Sequence, residues 1–211
     1  MLHVLLLAIE FLSVFVGVPL LIFYRVLPNL PIPYLLVAAC LAFLALRHDA
    51  SFDFNRLISA NGIVQSLPKL LLRDVIFLLF LGLAVRIFAP ELLFSFVRRS
   101  PAFWALVMFL YPLVSVYPQE ILYRGFFFHR YQPLFGSGWV MLVASALAFG
   151  FVHIIFGNWL AVGLCVIGGL LFSFTYQDSG SLLLACLDHA LFGNFIFTIG
   201  LGRFFYHGSR F

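Results

Sequence analysis

Charge is what this chain most lacks: charged residues make up 9% of it and hydrophobic residues 64%, with a mean hydropathy of +1.12. So much apolar surface exceeds what one soluble core can hide from water, which excludes an ordinary soluble domain and puts the chain in a bilayer. A concentrated basic patch is also missing. The pI near 9.2 and net charge of +4 come from residues spread over several loops, which suits anionic lipid headgroups and excludes nucleic acid as a partner. Cysteine is scarce. Cys40, Cys165 and Cys186 each fall in an apolar run without metal-ligand spacing, so they read as small buried hydrophobes rather than disulfides or zinc thiolates. The first apolar run has no basic leader and no small-residue cleavage site, and it carries Glu10. It therefore reads as a retained helix, not a signal peptide. No inverted internal repeat is visible, which counts against a small transporter.

What is present is a series of apolar runs. A span needs roughly 20 such residues at about 1.5 Å of rise each, and on that measure the chain reads as one all-α transmembrane domain over 1–211. About seven spans are expected, near 4–24, 32–46, 75–94, 103–117, 139–156, 159–176 and 182–201. The stretch 47–74 carries Arg47, Arg56, Lys69 and Arg73 among scattered apolar residues. It suits an amphipathic segment lying at the interface, or an eighth, partial span. Orientation stays open: Arg25, Arg98, Arg99, Arg203 and Arg210 fall on one face, and Arg47, Arg56, Lys69, Arg73 and Arg130 on the other. Glu10 and Arg86 are expected to pair across the bundle, and His129 and Arg130 to meet headgroups. Ala144, Ala148, Gly163, Gly168, Gly169 and Gly200 suit close helix packing in lipid.

Against that background three ionisable residues stand out. Glu120, His153 and His189 each lie inside or at the edge of a long apolar run, where an unpaired charge costs several kcal/mol. Glu120 and Arg124 are four apart and share a helical face, so they can form an ion pair. Phe149 and His153 stand one turn apart on another span. Asp188, His189 and Asn194 recur on a third. Taken singly, each group has a plain structural role, as a buried salt bridge or a hydrogen-bonded packing histidine. Taken together, each would need its own buried partner, and one shared wet cavity accounts for all of them.

These residues resemble the CPBP or Abi family of intramembrane proteases, which includes the type II CAAX prenyl endopeptidases. The family pattern is Glu-Glu-x-x-x-Arg on one span, Phe-x-x-x-His on the next, and His-x-x-x-Asn or Asp on a later one. The chain has Gln119-Glu120-x-x-x-Arg124, then Phe149-x-x-x-His153, then His189 followed by Asn194, within a segment running over 117–204. The resemblance implies hydrolysis of a peptide bond in a membrane-tethered or membrane-proximal substrate, by a multi-pass protein of a prokaryotic plasma membrane. In such enzymes the glutamate and the first histidine activate water, and the last histidine and the asparagine steady the oxyanion. Glu120, His153 and His189 would also make a two-histidine, one-carboxylate set for a divalent metal such as zinc, although no His-Glu-x-x-His helix occurs.

Two positions depart from the pattern. Gln119 stands where the family has its first glutamate, and glutamine cannot act as a base. Glu120 is about 100° of helical rotation away and is available to Arg124 instead. Gly193, not Asn194, lies four residues after His189, so Asn194 reaches His189 only through a local π-bulge. The expectation is a peptidase with Glu120 and His153 at the water and His189 opposite the carbonyl. The alternatives are a catalytically weak or inactive relative that binds or shelters a peptide, lipid or partner, as an immunity protein does, and a small transporter.

Overall fold

The computed structural model describes residues 1–60 and 63–205, and all regular structure among them is helical. Arg210, counted above for orientation, lies outside these residues. Seven long helices carry the architecture: α1 Leu2–Phe23, α2 Pro31–His48, α3 Ile63–Phe88, α4 Pro101–Arg130, α5 Trp139–Phe156, α6 Trp159–Ser179 and α7 Leu182–Thr198. Five of them, α1, α2, α4, α5 and α6, are long and apolar enough to cross a membrane. The chain is a multi-pass integral membrane protein. α7 is shorter, and α3 is interrupted by Arg73, Asp74 and Arg86.

Two helices differ from the sequence expectation. α3 begins at Ile63, so Lys69 and Arg73 belong to a long helix and not to a separate interfacial segment. α4 is 30 residues long and continues unbroken past Tyr117 to Arg130, which carries Gln119, Glu120 and Arg124 within a single rod. The rod is not uniformly α. Pro112–Val116 and Ile121–Phe126 are wound as π-helix, and so is Ser13–Gly17 in α1. Pro118 and Pro19 lack the N–H that an α-turn would use, and the turns just before each prove to be wider ones.

Helix ends follow local chemistry. Pro31 and Pro101 open α2 and α4, where a missing N–H does no harm. Asn158 caps α6 by accepting from the Ala161 amide at 2.8 Å, and Ser181 caps α7 by accepting from the Leu184 amide at 3.2 Å. Between α5 and α6 the close approach requires small residues: a Cβ on Gly169 would lie 3.0 Å from Ala146 Cα. Of the other small residues named above, Gly163 faces outward with nothing within 4 Å of where its Cβ would be.

The expected Glu10–Arg86 pair does not form. Glu10 accepts from Arg130 Nε at 3.0 Å, from Arg130 Nη2 at 2.6 Å and from the Tyr131 hydroxyl at 3.0 Å, tying α1 to the end of α4. Arg86 is exposed on α3. His129 meets Asp49 Oδ2 at 2.8 Å, so neither His129 nor Arg130 is reserved for headgroups. In the loop after α2, the Ser51 hydroxyl and then the His129 ring hold the Asp49 carboxyl below the usual carboxylate range. Of the cysteines, Cys165 is buried, Cys186 half-buried and Cys40 exposed on the outer side of α2.

Candidate active site

α4, α5 and α7 converge, together with α6, on one cavity of about 690 Å³. Most of its wall is apolar, and α1, α2 and α4 contribute to it as well as α5, α6 and α7. Its polar lining includes Tyr111, Ser115, Gln119, His153 and His189.

The turn Tyr117–Glu120 decides which neighbour faces that cavity. Gln119 lines it, donating from Nε2 to the Ser115 hydroxyl at 2.7 Å and to the Ser115 carbonyl at 3.0 Å. Glu120 does not line it. The carboxylate points into the protein, fully buried, and its Oε1 lies 2.7 Å from His189 Nδ1 and 3.1 Å from Arg124 Nη1. The expectation that Glu120 and both imidazoles line one wet cavity is therefore corrected: the two rings line one cavity, and Glu120 stands behind His189. The reason is rotational, because side chains one residue apart diverge by about 100° and only one can face the opening.

Arg124 explains why Glu120 tolerates this position. It is itself fully buried, donates from Nη2 to the Gly169 carbonyl at 3.1 Å, and lies over the rings of Phe149 and Phe172 at 4.7 and 5.5 Å. Cation and anion neutralise each other where a lone charge would be expensive. Phe149, the residue shared with the family motif, separates this pair from the cavity and also packs edge-on against His153 and His189.

Each histidine is fixed in a definite way. His153 sits where α5 tightens into a 3₁₀ turn, and its Nδ1 lies 2.7 Å from the Phe149 carbonyl. A carbonyl only accepts, so Nδ1 carries the hydrogen and Nε2 keeps its lone pair as an acceptor. His189 is stacked on Phe172 with centroids 4.4 Å apart and an interplanar angle of 15°. Its Nδ1 meets Glu120 and its Nε2 lies 3.1 Å from the Tyr111 hydroxyl.

Asn194 does not join this group. α7 runs as regular α-helix without the π-bulge that the five-residue spacing would need. Asn194 instead donates to the Met108 carbonyl at 3.3 Å, away from the cavity wall. Asp188, next to His189 in sequence, faces the opposite way: Arg73 Nη2 lies 2.6 Å from its Oδ1, and the Thr175 hydroxyl donates to its Oδ2 at 2.5 Å. Arg73 also bonds Asp74 at 2.7 and 3.0 Å.

The sequence reading missed Tyr111, Ser115 and Arg73. For the first two a signal existed, since Tyr111, Ser115 and Gln119 form a polar stripe at four-residue spacing on an apolar helix. Arg73 gave no such signal, because its distant partners, Thr175 and Asp188, come from α6 and α7.

The metal set proposed from sequence does not fit the geometry. Both nitrogens of His189 are engaged, one by Glu120 and one by Tyr111. Among the described residues no three His, Cys, Asp or Glu side chains converge as a metal site would need.

Residues 101–195 match the family model described as type II CAAX prenyl endopeptidase Rce1-like. The matched stretch is just under half of the chain and contains Gln119, Glu120, Arg124, Phe149, His153, His189 and Asn194. No curated protein and no solved structure gives a match.

Proposed function

From the premise that residues 101–195 form a type II CAAX prenyl endopeptidase Rce1-like segment, a protease family, we propose that the chain is an intramembrane endopeptidase that activates water with His153. The observation that carries this reading is that the Phe149 carbonyl holds His153 Nδ1–H, which leaves Nε2 as the accepting nitrogen of a residue lining the same cavity as His189 and Gln119. His153 Nε2 takes a proton from water as the oxygen attacks the peptide carbonyl, and then returns it to the leaving amine. Gln119 orients the water but takes no proton. His189, held in place by Glu120, whose charge Arg124 balances, stands with the Tyr111 hydroxyl on the side of the developing oxyanion. Glu120 is thus a positioning group in this reading. The substrate is a peptide tethered to or lying beside the membrane, with its apolar part against the lining from α1, α2 and α4. On this reading the enzyme works in the plasma membrane of a prokaryotic cell.

The test uses the full chain in liposomes with a quenched fluorescent peptide anchored to the bilayer. Wild type cleaves it, His153→Ala abolishes cleavage, and Gln119→Glu raises the rate or leaves it unchanged. Cleavage that survives His153→Ala rules the mechanism out.

Gln119 itself favours a second reading, a relative that binds the peptide without cutting it. Its amide hydrogens are both committed to Ser115, and no carboxylate reaches the cavity at that point. In that case the anchored peptide binds to wild type uncut, and only Gln119→Glu cleaves it.

A further inference from the structure

We infer that Tyr111 is a catalytic residue that supplies, backed by His189, the oxyanion donor which the family pattern would assign to Asn194. The inference rests on the peptidase reading and extends it to a residue outside every motif.

Three independent observations carry it. The Tyr111 hydroxyl lies 3.1 Å from His189 Nε2 and lines the cavity, so it stands on the same side of a bound carbonyl as the imidazole. Gly193 makes the approach possible: a Cβ there would lie 2.3 Å from Tyr111 Oη and 2.4 Å from its ring. The absence of a side chain at the fourth residue after His189 is therefore not a gap in the pattern but the space into which the tyrosine fits. Asn194, finally, is spent on the Met108 carbonyl and lies off the cavity wall.

The chemistry is a three-member chain, Glu120 to His189 to Tyr111. With His189 as an imidazolium paired with the Glu120 carboxylate, one N–H goes to Glu120 Oε1 and the other to Tyr111 Oη, which leaves the phenol hydrogen free to point into the cavity. A phenol that accepts such a bond is a stronger donor to an oxyanion, because successive hydrogen bonds polarise one another. Asparagine performs this task through its amide N–H; here a hydroxyl from α4 does so across the cavity.

The experiment compares Tyr111→Phe, Gly193→Ala and Asn194→Ala with wild type in liposomes, after confirming that each variant keeps the wild-type far-ultraviolet spectrum. Two readings are taken: cleavage of the anchored peptide, and binding of that peptide and of its phosphinate analogue, whose tetrahedral phosphorus imitates the transition state. Loss of a single oxyanion donor lowers kcat by about 100-fold or more. The expected result is that fall for Tyr111→Phe, with KM within about threefold of wild type, as for an interaction made only in the transition state. Gly193→Ala, which displaces the ring, behaves similarly, and Asn194→Ala stays within about threefold in kcat. Phosphinate affinity falls in Tyr111→Phe while affinity for the parent peptide does not.

Full activity in Tyr111→Phe together with a large loss in Asn194→Ala overturns the inference. If wild type cleaves nothing, the peptidase reading fails by itself, and the phosphinate decides the role of Tyr111. A wild-type preference for phosphinate over peptide that disappears in Tyr111→Phe upholds it, and no such preference overturns it.

Discussion

At the scale of single residues, the site turns on two neighbours with opposite tasks. Gln119 faces the cavity and offers only an amide, while Glu120 faces inward and holds the carboxylate against Arg124 and His189. The buried carboxylate cannot be removed cheaply, because Arg124 is fully buried and would be left as an uncompensated cation. Breaking such a pair by deleting one partner costs about 3–5 kcal/mol. Glu120→Ala should therefore lower the stability of the folded protein by that order, read as a fall in the unfolding midpoint in detergent. Glu120→Gln removes the charge but keeps an acceptor for His189 Nδ1, and should destabilise less. An unchanged midpoint in Glu120→Ala would mean that the ion pair does not support the bundle.

At the scale of elements, α7 is gripped from two sides by adjacent residues. Asp188 is held by Arg73 of α3 and Thr175 of α6, and His189 by Glu120 and Tyr111 of α4. Consecutive positions on a helix diverge by about 100°, so fixing both determines the rotation of α7 about its axis. Arg73→Met should release that grip, since it leaves Asp188 and Asp74 without their shared cation. The expected outcome is loss of stability together with loss of any cleavage, although Arg73 is not part of the cavity wall. If hydrogen exchange along α7 is unaltered in Arg73→Met, the clamp has no such role. Much of this level was legible beforehand. The apolar runs that bear the motifs are helices in the expected order, and Glu120 and Arg124 pair at the four-residue spacing. What was not legible is the continuity of α4 through Pro118, because proline argues for a helix start or a kink, and a run of wider π-turns accommodates it here.

At the scale of the whole molecule, the helices surround a mostly apolar cavity with a few polar side chains, which on the proposed peptidase reading suits a substrate that is greasy along most of its length. Cys165 lines this cavity, whereas Cys40 lies exposed on the outer side of α2. A bound membrane-anchored peptide should therefore protect Cys165 from an apolar maleimide and leave Cys40 reactive, measured by mass spectrometry. Equal labelling of Cys165 with and without peptide would place the substrate elsewhere.

The amino-acid order by itself determined that this chain is a helical membrane protein, and that acid, imidazole and amide recur on the spans that carry the Rce1-like match. Those features follow from composition and from spacing along one helix, and both are local. Only the tertiary structure decided that Gln119 and not Glu120 meets the cavity, that Asn194 turns to Met108, and that the Tyr111 hydroxyl lies against His189. Spacing sets the angle between two side chains on one helix, but the absolute rotation of that helix is set by packing against its neighbours, and no single segment contains that information.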